Sequence, residues 1–489
     1  MTSYDLAVLG AGAAGLGAAA GARLQGKSVA LVEMAKPGGD CTYTGCIPSK
    51  TLIETARRVR EARNGASYGF RSVVEVDFAA VMARVHAVIA EAGQDESADL
   101  LRRQGIDVWP GRAQLLGGGG VRVGTSTFQA ERIILATGAE PTIPELPGLT
   151  DVDYLTNESL FELTELPPRL LVLGGGPTGC ELAQAYARLG SAVTLVEARH
   201  RLLADEEPEA SAVITQALAA SGVEVILGRS VERLSLDTVG VDHDRGASTV
   251  LHLRDGAELS GTHLLLAVGR TPRTRDLGLA DVGVEVGPAG IVKVDEHLAT
   301  TVDGIFAAGD CSSVLQLTHV GYEQGRLAAH NAFAPPNRPS LLGGRREWDA
   351  TAIPRVTFTD PEVAHVGRTE RQAFAAYGEA AQVAYVSDTM SDRARCAGRT
   401  EGFVKLIAVP PKVLRSKLLV KLVGMTAVGP AAGELITQGT LAIRAGVLVG
   451  RIAQSVHAYP TWSMSVRMAA AQFFSGYGGQ TARPAREQQ

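Results

Sequence analysis

Residues 4–15, YDLAVLGAGAAG, decide how the rest of this 489-residue chain is read. Tyr4–Leu9 reads as a short buried strand, and the turn after it carries Gly10, Gly12 and Gly15. An Ala-rich stretch, Leu16–Leu24, continues as a helix, and Ser28–Val32 forms a second strand that ends at Glu33. That order predicts a βαβ unit. The first glycine permits the tight turn, the second lets backbone approach a pyrophosphate, and the third lets helix pack against strand. The helix N-terminus favours the anion. Glu33, 23 residues after Gly10, stands where an acid binds ribose hydroxyls. A Gly-rich turn alone can arise for packing reasons. With a strand before it, a helix after it and an acid closing the next strand, it predicts dinucleotide binding.

The chain then repeats this opening. Arg169–Leu173 is a strand, the turn carries Gly174, Gly176 and Gly179, Glu181–Leu189 is helical, and Ala192–Val196 leads to Glu197. Gly174 and Glu197 are again 23 residues apart. Two units with one internal spacing imply two dinucleotide sites.

Between them lies Gly38–Lys50, GGDCTYTGCIPSK, with Cys41 and Cys46 five residues apart. The glycines allow a turn that could close a small disulfide, and the same stretch is equally compatible with two reduced thiols in a loop. Set behind a dinucleotide fingerprint, it resembles the flavin-dependent pyridine nucleotide–disulfide oxidoreductases, which carry a CxxxxC redox disulfide at this place. GGDCTYTGC and the AGELI segment near residue 433 look closest to mercuric reductase-like members, with dihydrolipoamide dehydrogenase-like members next.

The resemblance spans Tyr4 to about Ser475 and implies an α/β fold with two Rossmann-like three-layer nucleotide-binding domains and a C-terminal α+β dimerisation domain. Residues 1–150 and 273–345 would bind FAD, 151–272 would bind NAD(P), 346–475 would form the interface of a homodimer, and 476–489 is expected to be a disordered tail. It also implies roles. Cys46 would lie against the flavin and Cys41 would be the outer interchange thiol, with Lys50 and Glu181 as an ion pair near the flavin's reactive edge. Cofactor contacts are expected at Gly38, Thr137, Gly138, Gly269, Arg270, Gly309 and Asp310, beside the two fingerprints. A helix over Leu317–Ala329 would point its N-terminus at the flavin. Glu197 should repel a 2′-phosphate, which favours NADH over NADPH, although Arg199 and Arg201 stand close by. Where related enzymes place an aromatic or hydrophobic gate, this chain has Pro177.

A larger departure comes near the C-terminus. Disulfide-reducing members carry HxHPTxxE, whose second histidine is the acid–base. Here residues 457–464 read HAYPTWSM, so Tyr459 replaces that histidine and Met464 the glutamate. A phenol titrates near ~10, too high for efficient proton exchange with a thiol at neutral pH. His457, if this segment is a strand, lies on the same face but about 6–7 Å away, and a structural role is expected for it. Mercuric reductases share the tyrosine, but the vicinal cysteine pair they use to capture mercury is missing here. Cys180 and Cys311 are expected to be packed thiols, and Pro410–Lys421 a solvated loop.

Composition narrows the setting. A chain of this length implies roughly three domains, and 45% hydrophobic with 20% charged residues is ordinary for a globular protein. A net charge of −5 gives no case for nucleic acid or an anionic membrane. Five cysteines do not form a secreted disulfide framework. Met1–Leu9 lacks the basic start and apolar core of an export signal, and no apolar run reaches the ~18 residues of a membrane span. The expectation is a cytoplasmic FAD enzyme that takes electrons from NAD(P)H and passes them through Cys41–Cys46 to a small-molecule or metal-ion acceptor. No resident metal is expected. Mercuric reductase, dihydrolipoamide dehydrogenase and a flavin-binding redox sensor or scaffold are the alternatives.

Overall fold

The computed structural model of the chain describes residues 2–237, 248–411 and 419–487. Its N-terminal unit is built on a seven-stranded sheet. The parallel strands Ile106–Pro110, Val29–Glu33 and Ser3–Leu9 lie side by side and continue into Ser126–Leu135, which also pairs with Ile305–Ala307. Side chains alternate across a strand, and Ser3–Leu9 uses both faces. Leu6 and Val8 enter one core with the Ala13–Leu24 helix, while Ala7 and Leu9 enter another with the hairpin strands Ala113–Gly117 and Gly120–Val123. That is why Leu6–Leu9 is apolar throughout rather than alternating.

The same logic builds the central unit. Its four parallel strands run in the order Val223–Leu227, Ala192–Glu197, Arg169–Leu173, His263–Leu266. Leu170 and Val172 face the Pro177–Leu189 helix, and Leu171 and Leu173 face an antiparallel meander that begins at Val231. A short antiparallel pair, Ala139–Pro141 with Arg270–Pro272, carries the chain out to this unit and back.

From Pro354 onward the sheet is antiparallel and six-stranded, backed by the Ala432–Arg444 and Met464–Ala471 helices. Its outermost strand is Arg483–Pro484, paired with Gln382–Ser387. This corrects the expectation of a disordered tail: Ala485 is buried, and Arg483 forms a bidentate ion pair with the buried Glu370. A Gly-, Arg- and Gln-rich composition suggested a solvated end, and the missing information was a buried carboxylate elsewhere in the chain. Residues 412–418 of the expected basic loop lie outside the described residues.

The helix that carries Lys50 spans Cys46–Arg63, so Lys50 sits in its second turn. Pro48 does not obstruct its start, because the first-turn N–H groups have no intrahelical acceptor to lose. Residues 456–461, which hold His457 and Tyr459, form no strand, so the two do not share a sheet face. Among the described residues, no helix is long and apolar enough to cross a membrane.

Candidate active site

One continuous cavity of about 2060 Å³ runs between the three units and touches both glycine turns, the cysteine stretch and the start of the Thr318–Phe333 helix. Its walls repeat one design twice. Gly10 has φ +104° and Gly174 φ +113°, conformations that disfavour a side chain. A Cβ on Gly15 would meet the Gly10 carbonyl oxygen at 1.8 Å, and one on Gly179 the Gly174 oxygen at 1.9 Å. Each third glycine therefore lets a helix seat directly on the turn. Gly12 and Gly176 have no protein atom closer than 4.0 Å to such a Cβ, which leaves open space at each mid-turn.

The two acids at the strand ends are fixed alike. Glu33 accepts from the backbone N–H of Ala11 and Ala35, both at 2.8 Å. Glu197 accepts from Gly175 and Arg199 at 2.6 and 2.7 Å. These cradles fit two dinucleotides: open backbone for a pyrophosphate, and a carboxylate already oriented toward the crevice for a ribose. Arg199 turns to Asp205 at 3.4 Å. Arg201 donates to the Ala204 carbonyl and does not line the cavity.

The cysteine stretch is pinned to the first cradle. Gly38 N–H donates to the Ala11 carbonyl at 2.8 Å, and Gly39 packs against Gly12. Asp40 accepts from Thr44 and Asn157 and pairs with Arg270 at 3.0 Å. Arg270 also approaches Asp310 at 3.8 Å. Burial pushes the Asp310 carboxyl up, while Arg270 pulls it down. Thr137 donates to the Arg273 carbonyl, and Gly138 (φ +74°) and Gly269 (φ +134°) turn the two crossing strands at the cavity wall. Gly309 is held from the other side, its N–H donating to Gln324 at 2.9 Å.

Cys41 and Cys46 are both free thiols here and both line the cavity. Cys46 Sγ lies 3.4 Å from Thr318 Oγ1. The pair is strongly polarised. Donation by the Cys41 thiol lowers Cys46 to about 6, against burial, and Thr318 and the Lys50 charge help. The same hydrogen bond, with burial, pushes Cys41 up. Lys50 Nζ pairs with Glu181 at 2.9 Å and sits 4.7 Å from the centre of the Phe358 ring. Phe358 N–H holds the other Glu181 oxygen at 2.8 Å, so the buried carboxylate is satisfied on both oxygens. That polarisation favours the thiolate on Cys46 and the protonated thiol on Cys41.

Tyr459 is not brought to this cavity within the protomer. It is 70% exposed, its O–H donates to Asp392 at 2.9 Å, and that bond raises its pKa. His457 faces Ser463 at 3.2 Å, and burial lowers it. Cys180 and Cys311 are buried and donate to backbone carbonyls. Asp40, Asn157, Thr318 and Phe358 were not singled out from the sequence. Asp40 and Thr318 lay inside motif stretches already quoted, but only the fold shows what they touch.

Comparison with known proteins matches residues 4–325 to the family model "Pyridine nucleotide-disulphide oxidoreductase" and residues 353–470 to that family's dimerisation domain. A mercuric reductase of Streptomyces lividans is 37% identical over 97% of each chain. A dihydrolipoyl dehydrogenase of Thermus scotoductus is 33% identical over 96% of this chain and 97% of its own. Among solved structures, LpdA from Mycobacterium tuberculosis superposes with a TM-score of 0.84 at 28% identity, covering 97% of this chain and 100% of the other. The Cu(II) complex of the HOCl-induced flavoprotein disulfide reductase RclA from Escherichia coli gives 0.82 at 29%, covering 96% and 99%.

Proposed function

Because the chain belongs to the pyridine nucleotide–disulphide oxidoreductases and is an FAD-dependent enzyme of that family, we propose that it takes electrons from NADH and delivers them through Cys41 and Cys46 to a thiophilic metal ion. The observation that carries the choice of acceptor is Tyr459. A disulfide acceptor needs a group that returns a proton to a leaving thiolate near neutral pH. The position offers a phenol whose pKa is raised further by Asp392. A soft metal ion needs thiolate ligands and no such proton. The likeness to mercuric reductases, 37% identity in the Streptomyces lividans case, supports the same reading.

The N-terminal cradle, with Gly10, Gly12, Gly15, Glu33, Thr137, Gly138, Gly309 and Asp310, would hold FAD, and that with Gly174, Gly176, Gly179 and Glu197 the nicotinamide nucleotide. Bound FAD supplies the two-electron relay between nicotinamide and sulfur. Lys50 places a cation beside the thiol pair and Glu181 holds it there. Cys46 is the stabilised thiolate and Cys41 the exchanging partner. When the reduced pair, with Cys46 ionised and Cys41 protonated, becomes the Cys41–Cys46 disulfide, it releases one proton to solvent and two electrons, and two electrons are what a divalent ion needs to reach the element. The matched dimerisation domain supports a homodimer in which Tyr459 serves the partner's cavity. Glu197, clamped by two N–H groups with Asp205 and Glu206 also on the wall, opposes a 2′-phosphate and supports NADH.

The test is nucleotide oxidation with mercuric ion, lipoamide, glutathione disulfide and quinones, run on wild type and Cys46→Ala. Mercuric ion should be turned over by wild type alone and NADH should outperform NADPH. Lipoamide turnover at the metal-ion rate would overturn the acceptor assignment, and quinone reduction equal in both proteins would remove the cysteines from the route.

A further inference from the structure

Phe358 belongs to the C-terminal unit, yet it lines the large cavity beside Lys50 and Glu181. It follows the edge strand Pro354–Thr357, and the chain beyond it is fastened to helices of the other two units. Asp360 is buried and pairs with Arg60 of the Cys46–Arg63 helix at 2.6 Å and with Arg188 of the Pro177–Leu189 helix at 3.0 Å. Arg399 adds a third ion pair on the same carboxylate, and Asp360 N–H donates to Gln184 at 2.7 Å. Phe358 meets the same two helices nearer their starts. Its N–H holds Glu181 at 2.8 Å, and its ring centre lies 4.7 Å from Lys50 Nζ.

Lysine carries a point charge on a flexible four-carbon stem, and ordering that stem costs rotamer entropy. Lys50 keeps 34% of its side chain exposed in the cavity. The Glu181 oxygen at 2.9 Å fixes how far the ammonium stands from one carboxylate and leaves its direction free. An aromatic face within ~6 Å attracts the cation through the ring quadrupole and supplies a second point of attachment. The ring is itself held, because the ion pairs of Asp360 anchor its backbone to both helices. We propose that Phe358 is a positioning residue: its ring, anchored through Asp360, holds the Lys50 ammonium at the redox site, so that the C-terminal unit sets where that charge stands. This rests on the reading above in which Lys50 serves Cys41 and Cys46, and it requires no particular acceptor.

The test uses the full FAD-loaded chain carrying Phe358→Leu or Phe358→Tyr. Both keep the backbone N–H on Glu181, and only tyrosine keeps an aromatic face. Lys50 is read directly by its rate of reductive methylation, located by peptide mass spectrometry, with the exposed Lys293 as internal standard. Losing the ring uncovers the amine and destabilises its charged form. Phe358→Leu should therefore raise Lys50 labelling about fivefold, and Phe358→Tyr should leave it at the wild-type rate. Flavin bleaching is the second readout, driven by whichever of NADH and NADPH reduces wild type faster. Phe358→Leu should slow it about fivefold where Lys50 is present and not at all in a Lys50→Met background. A merely structural role would slow both equally. Phe358→Met takes the place of Phe358→Leu if the latter does not fold. Unchanged labelling, or equal slowing in both backgrounds, overturns the proposal. Labelling uses neither acceptor nor nucleotide, so a failure of the proposed electron route leaves it decisive.

Discussion

Cys41 and Cys46 are identical side chains five positions apart, and their surroundings make them different acids. Cys46 receives a hydrogen bond from Cys41, with Thr318 and Lys50 adding to it, and falls to about 6. A depressed thiol is ionised above its own pKa, so in the reduced protein the Cys46 thiolate should persist down to about pH 6 and be lost below it. Alkylation rate or thiolate ultraviolet absorbance against pH should show that midpoint. Cys41→Ala removes the largest contribution and should move the midpoint toward the ordinary thiol range of ~8.5, whereas Cys41→Ser keeps a donor and should move it less. Equal midpoints in all three proteins would mean that Lys50 and the helix start set the acidity instead. The cysteines, Lys50 and Glu181 were legible in the sequence because they fall on motif positions. Thr318 was not, since a threonine 272 residues from Cys46 carries no local sign that it will touch it.

At the scale of elements, each glycine turn separates two demands. Gly15 serves packing, because its missing Cβ would collide with the Gly10 carbonyl. Gly12 serves the ligand, because nothing in the protein comes closer than 4.0 Å to its would-be Cβ. Gly12→Ala should therefore melt close to wild type yet purify with little FAD. Gly15→Ala should lose both stability and flavin, through displacement of the Ala13–Leu24 helix. Flavin-to-protein absorbance ratio and thermal melting separate the two, and a Gly15→Ala protein with wild-type melting would refute the packing role. These turns were readable because their constraints are local. The irregular path around Tyr459 was not, because it depends on what the chain packs against.

Across the whole molecule, the central and C-terminal units are joined by buried charge. Lys405 of the C-terminal sheet is fully buried and pairs with Glu207 and Glu209 of the central unit and with Glu370, at 2.7–2.9 Å. Burial would lower the Lys405 pKa, but the carboxylates outweigh it and raise the pKa instead. Arg483, from the last strand, reaches the same cluster through Glu370. Against burial, Arg483 and Lys405 hold the Glu370 carboxyl at about 2. Its stabilisation is therefore full above the ordinary carboxyl value of 4.5 and is lost as pH falls toward about 2. Lys405→Met strands buried carboxylates and should cost about 3–5 kcal/mol. Arg483→Ala should cost less at neutral pH and shift acid unfolding to higher pH. Urea unfolding at neutral and acid pH measures both, and wild-type stability in Lys405→Met would show that the cluster does not hold the units together.

The sequence by itself determined the two nucleotide-binding units, the family, the cysteine pair and the loss of the usual histidine. Each of those rests on short-range spacing, where a few residues in order dictate a turn, a helix face or a ligand set. Only the tertiary structure decided what fixes Asp40 and Cys46 and where the C-terminal strand docks. Those are distances between residues tens to hundreds of positions apart, and side-chain chemistry at such range exists only once the chain has folded.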